Sequence, residues 1–166
     1  MKSQSARKLA LPLLLLFLFL SPRGTRWQEQ QQTIQEVTSL LTSHRADLGL
    51  PPLSGDPALR RAALLRVGEL AQTGRLSHTR PDGSSFDTAL TESGAGFTFA
   101  AENLGYYKSG DLAAQSGEFW MSGWLSSLGH ARNLSDKHFT RSETVILCRD
   151  AGGFYEYFAV QLFSGD

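Results

Sequence analysis

Asp56-Pro57-Ala58-Leu59 opens a helix that Gly74 can close, and the chain then reads Ser77-His78-Thr79-Arg80-Pro81-Asp82-Gly83-Ser84-Ser85-Phe86. Asp56 suits the N-cap, and Pro57 suits the first helical position, where its missing N–H costs nothing. Leu59, Ala62, Ala63, Leu70 and Ala71 recur at helical spacing and predict the buried face. Gly74 is the expected C-terminal cap. Arg60, Arg61 and Arg66 fall on the same helix and read as a solvated face. His78 then stands four residues beyond the helix end, in a turn built from Pro81-Asp82-Gly83. Arg80 beside Asp82 reads as a local turn bridge. Ser84 or Ser85 is placed to cap a short helix over Phe86 to Leu90.

On the N-terminal side, Ile34, Val37, Leu40, Leu41 and Leu48 mark one buried stripe of a helix within 28–48, stopped by Gly49 and Pro51-Pro52. The Gln-rich stretch 28–32 is polar all round and is expected to fray or serve as a spacer. On the C-terminal side, Phe97 to Tyr107 reads as a strand with Phe97, Phe99 and Ala101 on one face, which turns Glu102 to the other. Asp111 to Ser126 reads as a helix carrying Leu112, Phe119, Trp120 and Trp124, with Gly129 breaking it before His130. Thr144 to Arg149 and Phe154 to Phe163 predict a hairpin across Asp150-Ala151-Gly152-Gly153. Helices interleaved with strands and closed by a hairpin indicate an α+β fold.

The 166 residues suffice for one domain with its own core, not two. The segment 1–20 differs from the rest: Lys2, Arg7 and Lys8 precede an apolar run, Leu9 to Leu20, interrupted only by Pro12. This is a signal-peptide pattern, too short for an ordinary transmembrane helix. Ser21 or Gly24 offers a small residue for cleavage near 21–24, and an uncleaved signal anchor is the alternative. The expected organisation is a signal peptide over 1–20, a polar spacer over 21–33 and one domain over 34–166. Secretion, or retention in the periplasm or cell envelope, follows.

With three basic residues in that leader, the remainder holds 13 Lys+Arg against 16 Asp+Glu, a net charge of −3. That balance does not attract phosphate backbones, so nucleic acid is excluded as a partner, and it does not attract anionic lipid headgroups. Cys148 is the only cysteine, so no intramolecular disulfide can form. Following Val145-Ile146-Leu147, it reads as a buried strand residue rather than a reactive thiol. Asn133-Leu134-Ser135 matches a glycosylation acceptor, a pattern short enough to arise by chance.

His78, Glu102 (in Ala101-Glu102-Asn103-Leu104) and His130 (in Trp124-Leu125-Ser126-Ser127-Leu128-Gly129-His130) carry the chemistry. Two imidazoles and a carboxylate can hold a divalent metal with one position open, and they can equally serve as an acid/base set. Against this, a histidine at a helix C-terminus is favoured there on structural grounds, and a Glu–His pair can simply seat a strand on a helix. His44 and His138 read as surface residues. Trp120, Trp124 and Phe119 form a stripe whose ordinary use is core packing, and Tyr106-Tyr107 can line a groove or cover a sheet edge.

These segments, together with Leu41 to Leu53 and the closing Tyr157-Phe158-Ala159-Val160-Gln161-Leu162-Phe163, resemble the CAP superfamily in their order along the chain. That superfamily comprises cysteine-rich secretory proteins, antigen 5 and pathogenesis-related proteins; the likeness is greatest to the short, disulfide-free bacterial type. The resemblance implies a three-layer α-β-α sandwich with a small, mostly antiparallel sheet. It also implies a cleft lined by His78, Glu102, Ser127 and His130, where some members hold zinc. His78, Glu102 and His130 carry over to the family's polar set. At the fourth position, three residues after Trp124, Ser127 stands where many eukaryotic members have a glutamate.

The loss of that carboxylate matters. If His78, Glu102 and His130 all bind zinc or another divalent cation, no carboxylate of the motifs remains as base for metal-bound water. If Glu102 is the base, only two side-chain ligands remain. Ser127 lacks the marks of a nucleophile, having neither a strained elbow nor a third orienting acid. Three functions therefore compete: a binding module for a peptide, lipid or envelope component; a metal-dependent, peptidase-like hydrolase with Glu102 as candidate catalytic residue; and a structural envelope domain. Binding without a required cofactor is the expectation.

Overall fold

The computed structural model describes residues 27–112 and 115–166. The signal peptide expected over 1–20 and its cleavage near 21–24 lie outside them. In chain order the elements are β1 (Trp27–Glu29), α1 (Gln31–Asp47), α2 (Pro57–Thr73), α3 (Asp87–Glu92), β2 (Phe99–Ser109), α4 (Gly117–Leu125), α5 (Leu128–Leu134), β3 (Arg141–Asp150) and β4 (Tyr155–Gly165). The strands form one four-stranded sheet ordered β1-β3-β4-β2, with every neighbouring pair antiparallel. A single isolated parallel bridge joins Ser54 to Arg141. Among the described residues no helix is long and apolar enough to cross a membrane.

Helices cover both faces, giving the expected three layers. Residues alternate across a strand, so Val145 and Leu147 of β3 and Phe158, Val160 and Leu162 of β4 all point to one face. There they pack against Leu59, Ala62, Ala63, Val67, Leu70 and Ala71 of α2. Ile146, Cys148, Tyr157, Ala159 and Phe163 point the other way, against Ile34, Val37 and Leu41 of α1 and Trp120, Met121 and Trp124 of α4. β4 is central and buried on both sides, with all its residues after Tyr155 buried.

The capping signals of α2 hold. The Asp56 carboxylate accepts from the Ala58 and Leu59 N–H groups at 2.7 and 2.9 Å, and Gly74 closes the helix at φ 66°. The hairpin turns at the Gly152-Gly153 pair, both at positive φ, and its register pairs Asp150 with Tyr155. The polar stretch 28–32 is neither frayed nor a spacer. Gln28 and Glu29 pair with Cys148 and Leu147 of β3, and α1 starts at Gln31. Leu48, expected in the buried stripe, is 52% exposed, and the stripe ends instead on Arg45.

Two further expectations change. α4 starts at Gly117 rather than Asp111, because the Ser116 hydroxyl caps it by accepting from the Phe119 N–H; Leu112 is left exposed. Gly129 does not break a helix before His130. The break falls at Ser126-Ser127, where Ser127 is extended (φ −100°, ψ 121°), and both Gly129 and His130 lie inside α5.

Candidate functional site

β2 is an outer strand of the sheet, and it carries Glu102 on the α2 side, with Ala101 facing α1 and α4. The Glu102 side chain is fully withdrawn from solvent. Arg66, also fully buried, grips it from α2: Nε donates to Oε1 at 2.7 Å and Nη2 to Oε2 at 3.2 Å. His78 approaches from the loop after α2, its Nδ1 3.0 Å from Glu102 Oε2. Its ring stays 57% exposed and meets the edge of Phe86. His78 and Glu102 are thus in contact, and Arg66 shares the carboxylate with the imidazole.

Arg66 does more than hold the carboxylate. Nη1 donates to Glu69 Oε2 and Nη2 to the Ser77 carbonyl, both at 2.6 Å. The latter bond fixes the residue immediately before His78. Burial alone would lower the Arg66 pKa, but the hydrogen bonds and charges of Glu102 and Glu69 outweigh it and raise it, so the guanidinium stays charged. Glu69 in turn receives Arg80 Nε at 2.9 Å, and Arg80 Nη1 reaches Glu92 at 2.7 Å. Arg80 is thus not the turn bridge to Asp82 that the sequence suggested. Asp82 instead accepts from the Ser84 N–H and hydroxyl, and Arg80 contributes to the turn only through its backbone.

His130 reaches the region from α5. Burial lowers its pKa first, and the nearby charge of His78 lowers it further, which favours a neutral imidazole. Its backbone carbonyl accepts from Asn103 Nδ2 at 3.4 Å. Asn133 Nδ2 donates to Asn103 Oδ1 at 2.9 Å, so α5 is tied to β2 through Asn103, which is itself fully buried. That bond engages the very nitrogen a glycan would need. His44 and His138 lie outside the site; His44 is half-buried with Nε2 3.0 Å from the Ser135 hydroxyl, and His138 pairs with Asp136.

Ser127 and His130 line a groove of about 490 Å³ that runs over the edge of β2, walled by Leu76, Tyr106, Phe119, Trp120 and Trp124. No Asp, Glu, Lys or Arg lines it. Its floor is held by Trp124, whose Nε1 donates to the Leu104 carbonyl at 3.1 Å. That carbonyl is free to accept because alternate residues of β2 turn their backbone groups away from β4. Gly105 keeps Trp120 close: a Cβ there would stand 2.7 Å from the indole ring. Ser127 makes no side-chain cap bond.

The donor set does not fit a metal ion. Both Glu102 oxygens are already engaged, one by Arg66 and the other by Arg66 and His78, and a guanidinium against the same carboxylate repels a cation. Among the described residues no three His, Cys, Asp or Glu side chains are grouped to hold one. Sequence reasoning missed Arg66 and Glu69 as parts of the site. The signal available was their i, i+3 spacing on α2 just ahead of the His78 turn.

A family model described as the cysteine-rich secretory protein family matches residues 38–163. Among solved structures the chain is similar to an extracellular protein containing an SCP domain from Bacillus anthracis, at 25% identity and TM-score 0.63, covering 82% of this chain and 41% of that one. An outer surface protein of Borrelia burgdorferi matches with TM-score 0.71 at 17% identity, over 84% of this chain and 97% of that one. A cysteine-rich secretory protein of Staphylococcus aureus matches with TM-score 0.59 at 17% identity, over 84% and 40%. The chain thus spans about two fifths of the Bacillus and Staphylococcus chains. No curated protein matches at a significant level. The order of motifs, the α-β-α layers and the matched family model agree: this chain belongs to the CAP, or cysteine-rich secretory protein, family.

Proposed function

We propose that this is an exported binding domain that receives a neutral, largely apolar ligand in the groove over β2. The observation that carries the reading is the groove itself: aromatic walls, no formally charged lining residue and a volume of about 490 Å³, within the ordinary range for small-ligand sites. Ser127 and His130 supply its polar anchors. A lipid or a peptide side-chain cluster from the cell envelope has the matching chemistry. Export is supported by the basic, then apolar, N-terminal segment and by the extracellular and surface proteins that share the fold.

Gly123 offers a clean test. It lines the groove, and a Cβ built there has open space around it. Gly123→Leu should therefore fill the groove while leaving the fold intact. The neutral fluorescent probe N-phenylnaphthylamine is expected to bind the wild type and to lose at least about tenfold in affinity in the variant. Equal binding by both proteins rejects the groove as the site. Hydrolysis is the competing reading, and turnover of a peptide library that disappears in Glu102→Gln would favour it over binding.

A further inference from the structure

Five side chains run through the fold in one line of contacts, Arg80, Glu69, Arg66, Glu102 and His78, the first four alternating in charge. The links measure 2.8 Å from Arg80 to Glu69, 2.6 Å from Glu69 to Arg66, 2.7 Å from Arg66 to Glu102 and 3.0 Å from Glu102 to His78. Its middle is closed to solvent, with Arg66 and Glu102 side chains at 0% exposure, while His78 emerges at 57%. The fork of Arg66 matches the two carboxylate oxygens, a geometry that a planar guanidinium supplies and a spherical cation does not.

We propose that Arg66 takes the place of a metal ion beside Glu102, serving as the resident cation that positions His78. A divalent ion orients imidazoles by drawing on their lone pairs. Here the orientation comes from the other direction. Glu102, neutralised by Arg66, receives the His78 Nδ1–H, and the Ser77 carbonyl, held by the same guanidinium, fixes the backbone beside it. The Nε2 of His78 is then the ring nitrogen left for a hydrogen-bond donor on a ligand, such as an alcohol or an amide. Arg66 and Glu102 are positioning residues in this arrangement and touch no ligand themselves.

The full-length protein, titrated with Zn2+ by calorimetry and followed through its histidine ring NMR signals, tests this. The wild type should give the same isotherm as His78→Ala/His130→Ala, with no zinc-dependent shift of the His78 or His130 resonances. Arg66→Met frees Glu102 Oε1 and leaves Oε2 with His78 alone. Its zinc affinity should rise at least about tenfold over the wild type, and the gain should vanish in Arg66→Met/His78→Ala. A merely structural arginine would lower stability without creating a zinc site. Wild-type binding that is lost with His78, or a folded Arg66→Met protein that gains nothing, overturns the proposal. Where Arg66→Met does not fold, the wild-type titration decides alone: zinc binding abolished by His78→Ala overturns it, and indifference to His78→Ala upholds it.

Discussion

Arg45 is the other fully buried arginine among the described residues, and its hydrogen bonds go to backbone carbonyls rather than to a carboxylate. Its guanidinium donates to the backbone carbonyls of Pro51, Leu134 and Asp136 at 2.9, 3.1 and 2.9 Å, pinning the end of α1 to the loop after α5. Burial lowers its pKa, partly offset by the charge of Asp136. Arg45→Met would leave those acceptors without partners inside the protein, so we expect a loss of about 3–5 kcal/mol in urea unfolding. Neither this role nor that of Arg66 was legible in the sequence. An arginine's burial depends on acceptors that fold up against it, and those lie 89 and 91 residues from Arg45. His78 and Glu102 were legible because each sits in a short, distinctive segment. Glu156, which accepts a hydrogen bond from Tyr106 of the groove wall, makes a second prediction. Burial would raise its pKa, but hydrogen bonds from Tyr106 and Arg149 prevail and lower it. A depressed carboxylate contributes stability above its unfolded pKa, near 4.5, and that contribution is lost as pH falls through the lower folded value. Tyr106→Phe removes the 2.7 Å bond to Glu156. Its thermal unfolding should show about 1 kcal/mol lost at pH 7, and the gap to the wild type should narrow as pH falls below about 4.5, because the variant has less of the depressed-carboxylate contribution left to lose.

Between elements, the tightest contact is where α4 begins against α1. A Cβ on Gly117 would lie 2.8 Å from the Val37 backbone nitrogen, and the Gly117 N–H donates to Glu36 Oε2 at 2.8 Å. Gly117→Ala must therefore push the two helices apart. We expect about 1–3 kcal/mol of destabilisation, read as a lower Tm, with weaker probe binding because Trp120 and Trp124 ride on the same helix. Local chemistry made most elements readable. Asp56-Pro57 and Gly74 bracket α2 with recognisable caps, and the Gly pair between two apolar runs announces the hairpin. The start of α4 was misplaced by six residues because Leu112 satisfied the helical spacing, while the real determinant was Gly117 lying flush on another helix. β1 was missed for a similar reason: Gln28 and Glu29 have no strand propensity, and pairing with the edge of β3 decides their conformation.

The molecule as a whole is held by packing on two sheet faces and by buried charge, without a cross-link. Cys148 is 1% exposed, so oxidising and reducing conditions should give the same monomer-to-dimer ratio by gel filtration, and Cys148→Ala should cost about 1 kcal/mol. A disulfide-linked dimer formed by the wild type would show the thiol to be accessible. The two-sided character of the sheet was visible in the near-continuous apolar run of Tyr157 to Phe163, whereas the strand order was not, since nothing in the residues of β2 names β4 as its neighbour. That order carries a consequence for how the protein is made. β4 comes latest in sequence of the four strands yet lies between β2 and β3. A ribosome releasing the chain from its N-terminus delivers β1, β2 and β3 first, with β2 apart from the β1-β3 pair for want of the strand that joins them. The four-stranded sheet can therefore close only once residues 155–165 have emerged.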